Sequence, residues 1–237
     1  MGRPMSGAAH LKRVKYEIFG PLALRAEELE RQGHEVVKLN IGNPASFGFP
    51  LPKALQEVIA ERVAEAASYC HHQGRVDARE AIVAQQRARG VADVGIEDVF
   101  IGHGVSELVM MAMHGLLNPG DEVLLPCPDY PLWTAAVVTY GGVPVYYPCL
   151  PEEAYVPRVE DIAARITERT RAIVVINPNN PTGAVYPRAT LQGIAELAAR
   201  HGLLVCSDEI YDGLLFDDTE FVPMASLVEG TLCASFS

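Results

Sequence analysis

From about residue 98 onward, short apolar runs alternate with stretches in which apolar residues return every three or four positions. The runs are DVFIG, EVLLP, VPVYY, AIVVIN, LLVCS and TLCASF, and the stretches between them include SELVMMAMHGLL, VEDIAARI and RATLQGIAELAARHG. Continuous apolar runs of this length suit strands covered on both faces, and the intervening periodicity suits helices. Such alternation predicts a mostly parallel sheet with right-handed crossovers. The earlier part reads differently. An arm precedes a helix that Pro21 opens, LALRAEELERQ continues and Gly33 ends; VVKLNI then reads as a short strand that breaks at Gly42-Asn43-Pro44. After the loop ASFGFPLP, two amphipathic helices are predicted over about 53–67 and 77–89, with Asp77 as N-cap and Gly90 as stop for the second.

A chain of 237 residues can remove roughly 70% of its unfolded surface from water, enough for one sizeable core. Its net charge of −11 argues against a nucleic-acid or anionic-membrane surface. The five cysteines, Cys70, Cys127, Cys149, Cys206 and Cys233, are odd in number and contain no CxxC pair, which predicts reduced thiols in a cytoplasmic setting. No apolar run reaches the ~18 residues of a spanning helix, and the N-terminus lacks the apolar core of a secretory signal. The bases are lopsided: 15 arginines but only Lys12, Lys15, Lys38 and Lys53.

In parallel sheets, ligands sit beyond the carboxyl ends of the strands, so the residues just past each strand carry the chemistry. After DVFIG comes His103-Gly104-Val105-Ser106-Glu107. Small residues and a hydroxyl opening a helix suit an anion such as phosphate, and equally suit plain capping by Ser106. After EVLLP, the prolines of Cys127-Pro128-Asp129-Tyr130-Pro131-Leu132-Trp133 stiffen a loop carrying an aromatic ring, either to stack on a planar ligand or to fill the core. Asn177-Pro178-Asn179-Asn180-Pro181-Thr182-Gly183 comes after AIVVIN as a rigid loop with outward amides, more restricted than a turn requires. Asp208-Glu209-Ile210-Tyr211 comes after LLVCS. A partly desolvated aspartate there needs a positive charge, either a salt-bridge partner or a protonated heteroaromatic nitrogen that Tyr211 also reaches. His71 and His72 are expected to point to different faces and make a poor metal pair, and His103 and Asp217-Asp218 read as surface. There is no GxxxxGK[ST], complete GxGxxG, GxSxG, HExxH or CxxC, which leaves nucleotidase, hydrolase and zinc readings without support, and no metal site is expected.

Together these segments resemble the class I/II aminotransferases, fold type I enzymes that use pyridoxal 5′-phosphate. The resemblance rests on Leu39-Asn40-Ile41-Gly42-Asn43-Pro44, Gly104 to Glu107, Pro128 to Trp133, Asn177 to Tyr186 and Asp208 to Tyr211, in the family's order and spacing. The sequence is most similar to those of bacterial alanine (glutamate–pyruvate) aminotransferases. It implies a three-layer α/β/α fold with a mostly parallel sheet. Residues 1–45 would be an arm and part of a small domain, and residues 46–237 a truncated large cofactor-binding domain.

The resemblance also implies roles. Gly104, Val105, Ser106 and Ser235 would hold the cofactor's phosphate, Tyr130 would stack on its ring, and Asn180 and Tyr211 would hydrogen-bond the phenolic oxygen. Asp208 would pair with the ring nitrogen, Gly42 and Asn180 would receive the substrate carboxylate, and Tyr69 would reach the phosphate in the partner subunit of a homodimer with shared active sites. Amino-group exchange between alanine or glutamate and pyruvate or 2-oxoglutarate is the implied reaction. The family's Schiff-base lysine would come directly after Ser237, so the resemblance implies a chain continuing past that residue. Phe19 stands where such relatives often carry arginine, which leaves room for a larger or more apolar amino acid. Two rival readings keep the fold: another Cα chemistry such as β-elimination, or a non-catalytic ligand-binding module.

Overall fold

The structure, a computed structural model, describes residues 8–14, 16, 20–38, 42 and 44–237. It divides into two compact units, Glu17–His72 on one side and Met1–Tyr16 with Gln73–Ser237 on the other. The smaller unit holds α1 (Pro21–Arg31), opened by its proline as expected, and α2 (Lys53–Arg62), which passes into a 3-10 turn over Val63–Ala67. Residues 36–38 form no strand, and the rest of VVKLNI, residues 39–41, lies outside the described residues.

The larger unit is a three-layer α/β/α sandwich. Its five parallel strands are β1 (Glu122–Cys127), β2 (Val143–Pro148), β3 (Thr170–Ile176), β4 (Leu204–Asp208) and β5 (Cys233–Phe236), in the order β2-β1-β3-β4-β5. Alternation along each strand divides the core in two. Val123, Leu125, Ala172, Val174, Ile176, Cys206 and Phe236 face α4 (Val105–Leu116) and α5 (Pro131–Thr139), whose Val109, Met113, Trp133 and Val137 complete that layer. Leu124, Ile173, Val175 and Val205 face the other way, toward Ile162 of α6 (Val159–Ala163) and Leu191, Ile194 and Ala198 of α7 (Arg188–His201).

Three local expectations change. DVFIG opens at Asp98 on the last residue of a 3-10 turn (Ile96–Asp98) and pairs with no strand among the described residues; the Ile101 N–H donates to Gln73 O at 2.9 Å instead. Apolar composition favours a strand but does not supply its partner. Helix α5 escapes the periodicity test because Leu132, Trp133, Ala135, Ala136, Val137 and Val138 are all buried, so no polar face marks the turn. Asp77 sits inside the first turn of α3 (Val76–Ala88), with Arg75 at the cap position, although Gly90 does lie just past the helix end, where Val91 N–H closes back to Gln86 O at 3.0 Å.

Buried Arg79 of α3 fastens that helix to the segment ahead of α4 by donating to Ile96 O through Nε at 3.2 Å and Nη2 at 2.7 Å. Gly74 passes beside the same segment with φ +104°, and a Cβ there would lie 2.7 Å from Ile101 Cβ. Gly74→Ala therefore meets both backbone strain and overlap. The expected loss is about 2–4 kcal/mol of unfolding free energy, read as a lowered urea midpoint at unchanged slope.

Candidate active site

The carboxyl end of β4 carries adjacent acids that alternation sends to opposite faces. Asp208, 3% exposed, turns toward α5, where the indole Nε1–H of Trp133 donates to Oδ2 at 2.9 Å. The Ile210 N–H reaches Oδ1 only at 3.4 Å. Burial pushes the Asp208 carboxyl up, and the Trp133 and Ile210 donors pull it partly back. No cationic side chain pairs with it among the described residues, so the salt-bridge alternative has no partner here. Glu209 turns the other way and is fully buried. Its Oε1 accepts from Ser207 Oγ at 2.8 Å and from Met224 N–H at 2.9 Å, while Oε2 has no hydrogen-bond partner among the described residues.

Next to β4, the loop after β3 is fixed by its own amides. Asn177 N–H donates to Asp208 O at 2.9 Å, and Asn177 Oδ1 accepts Tyr186 N–H at 2.8 Å. Asn179 Oδ1 accepts both the N–H and the Oγ1–H of Thr182, at 3.1 and 2.8 Å. The expectation of three outward amides thus holds only for Asn180. Asn177 and Asn179 are buried and spent on the loop, whereas half-buried Asn180 keeps its amide uncommitted among the described residues. The bonds Asn177-Pro178 and Asn180-Pro181 are cis.

Helix α4 begins at Val105, with Gly104 at the cap position in a positive-φ conformation (+85°) and no side-chain cap. Glu107 reaches back instead, accepting the His103 N–H at 2.6 Å. Ser106 therefore does not cap the helix. The first-turn N–H groups of Val105 and Ser106 have no intrahelical acceptor and stand as an anion-binding end. Tyr130 precedes α5 and lies close enough to Asp208 and Tyr211 to feel their charge. Its phenol is pushed up to about 12, first by the Tyr16 hydroxyl 3.1 Å away and then by burial. The aromatic of this loop that fills the core is Trp133, one turn on, whose ring meets Phe236 edge-on with centroids 5.3 Å apart.

The structure thus gathers Tyr130, Asp208 and Tyr211 at one strand end, with the Asn180 loop adjoining and the α4 N-terminus on the same side of the sheet as Trp133. Tyr211 lies in a turn rather than on a helix and is partly exposed. Ser235 is exposed, its hydroxyl 3.9 Å from Cys233 Sγ. Gly42 and Tyr69 belong to the smaller unit, where both are exposed. His71 and His72 do not diverge as expected; their rings lie 4.2 Å apart. No cluster suited to a metal ion occurs among the described residues, and none of their helices is long and apolar enough to cross a membrane. Phe19, Asn40 and Asn43 lie outside the described residues. Sequence reasoning missed Trp133 as a partner of Asp208, since nothing in the sequence pattern pairs residues 75 apart.

The larger unit is thus a parallel α/β sandwich that carries a buried acid at a strand end, a tyrosine beside it and a helix with an open N-terminus. The chain belongs to the class I and II aminotransferase family, whose model matches residues 34–237. It is 47% identical over 234 residues to the glutamate-pyruvate aminotransferase AlaA of Escherichia coli, covering 99% of this chain and 58% of that protein. It is 45% identical to an alanine aminotransferase of Mycobacterium tuberculosis, covering 99% of this chain and 55% of the relative. A solved aminotransferase from Escherichia coli superposes with a TM-score of 0.95 at 47% identity, covering 98% of this chain and 58% of that one. The chain thus spans little more than half the length of these relatives.

Glu209 generates a pH prediction. Burial raises its pKa above the ordinary 4.5, against the lowering donors Met224 and Ser207. A raised folded-state pKa gives stability that is complete below the unfolded value and is lost as pH rises through the folded one. Glu209→Gln removes that loss while retaining an acceptor for both donors. The variant's melting temperature relative to the native protein should climb from pH 4.5 toward neutrality; a constant difference would mean that Glu209 titrates as it does in the unfolded chain.

Proposed function

We propose that this chain forms the cofactor-binding part of a pyridoxal 5′-phosphate-dependent transaminase. The proposed reaction passes an amino group between alanine or glutamate and pyruvate or 2-oxoglutarate. The carrying observation is Asp208, a buried carboxyl with one strong donor and no cation among the described residues. Such a group fits a ring nitrogen that must hold a proton. The fit extends to the open N-terminus of α4 for a phosphate. The family match and the names of the relatives supply the reaction class.

When bound, the cofactor supplies an electron sink for the negative charge that develops at the amino acid's Cα. The chain's residues orient and tune it. Asp208 holds the proton on the ring nitrogen, and Asn180 and Tyr211 donate hydrogen bonds to the phenolic oxygen. Tyr130 covers a ring face, while Gly104, Val105, Ser106 and Ser235 take the phosphate. Gly42 with Asn180 receives the substrate carboxylate, and Tyr69 serves the partner's site in a homodimer. Moving the Cα proton needs a basic amine. The four lysines all lie at or before Lys53 in the sequence, ahead of every strand of the sheet, so the reading calls on a lysine from sequence outside residues 1–237. Five unpaired cysteines accord with a cytoplasmic setting.

The test uses the full-length protein loaded with pyridoxal 5′-phosphate, alanine as donor and 2-oxoglutarate as acceptor. Pyruvate and glutamate should form in equal amounts, and Asp208→Ala should lower kcat by about 100-fold or more. Pyruvate released with ammonia and no glutamate would replace transamination by elimination. No turnover of any amino acid, with cofactor bound, would leave a ligand-binding module.

A further inference from the structure

Trp133 is the only tryptophan of the chain, and it is completely buried. Its backbone N–H donates to Tyr130 O at 3.1 Å, so the turn that presents the Tyr130 ring also sets the indole. The edge-on Phe236 ring at 5.3 Å holds the indole plane from β5. The Nε1–H then lies 2.9 Å from Asp208 Oδ2. Oδ1 receives only the long 3.4 Å contact from Ile210 N–H and keeps most of its acceptor capacity. An indole N–H donates at every accessible pH and never accepts, so its bond favours the ionised carboxylate alone.

We propose that Trp133 is a positioning residue that occupies Asp208 Oδ2, leaves Oδ1 to face the ligand, and sets the pH at which the site works. This rests on the proposed function, in which Asp208 must be ionised to hold a ring proton. Without the indole donor, the carboxylate keeps its burial but loses its one close partner. Its protonation then begins at higher pH.

The experiment compares native, Trp133→Phe and Trp133→His full-length protein loaded with pyridoxal 5′-phosphate. Phenylalanine removes the donor, whereas histidine is also smaller than tryptophan but retains a ring N–H. In Trp133→Phe the acid limb of kcat against pH should move upward by about one unit, the size expected for one hydrogen bond to a charged acceptor. KM for the amino acid should change little, and Trp133→His should return the limb toward its native position. Equal behaviour of the two variants, or an unmoved limb in Trp133→Phe, would reduce Trp133 to packing and overturn the inference.

A second readout does not depend on the cofactor. In ligand-free protein labelled with nitrogen-15, the Trp133 indole resonance, assigned by its loss in Trp133→Phe, should shift in Asp208→Asn. An unshifted resonance overturns the inference even if the cofactor binds normally, and should Trp133→Phe fail to fold, Trp133→His supplies the same assignment. If the native protein binds no cofactor, the proposed function falls, while the resonance still decides whether indole and carboxyl are coupled.

Discussion

A carboxylate removed from water is tolerated only where donors replace its hydration, and the carboxyl end of β4 is organised by that requirement. The effective penalty for burying an ion is several kcal/mol, whereas one hydrogen bond to a charged group returns roughly 1.5–3 kcal/mol. For Asp208, the single short bond from Trp133 leaves a shortfall, visible as a carboxyl pushed up by burial. In the proposed function, that shortfall is what a cationic ring atom would meet. The start of α5, the Tyr130 ring and the end of β5 all bear on the same few ångströms around it.

Glu209 meets the same requirement differently. Two donors from the chain, Ser207 Oγ and Met224 N–H, converge on one of its oxygens, which ties the end of β4 to the segment that leads into β5. Arg89 and Asp212 pair nearby and act on its charge in opposite senses. The Asp208 face of the strand end has one short donor, and the Glu209 face has two donors on Oε1 and none on Oε2 among the described residues. The chemistry gathers on the first, and the anchorage on the second.

Much of this was legible in the sequence. All five strands of the sheet coincide with apolar runs; β1, β3 and β4 are buried on both faces and have no polar alternation to hide them, while the edge strands β2 and β5 keep an apolar composition although partly exposed. The acids, the Asn-Pro loop and the Tyr130 loop come directly after those runs, so their place at the sheet's carboxyl edge came from counting, whereas the glycine-led helix follows DVFIG. What the sequence withheld were pairings. DVFIG has strand composition without a partner among the described residues, and α5 has no polar face to betray its turn. Three asparagines look alike in the sequence, yet Asn177 and Asn179 are consumed by their own loop. The Trp133–Asp208 bond joins residues 75 apart and exists only after the sheet and α5 have packed.

The alternation that separates Asp208 from Glu209 has a consequence for how this part of the chain can change through descent. Losing or gaining one residue within β4 would exchange the two acids, presenting the longer side chain to the indole and the shorter one to Met224. The strand's remaining hydrophobic residues would change faces too, but both faces of the sheet are apolar and the core could repack. The site would still be lost, because neither acid would meet its donors. Length variation is therefore expected outside β4, in stretches such as the exposed turn around Asp217 and Asp218. Substitutions at Leu204, Val205 and Cys206 face the ordinary demands of packing, whereas Ser207 and Asp208 also carry the hydrogen bonds of the strand end.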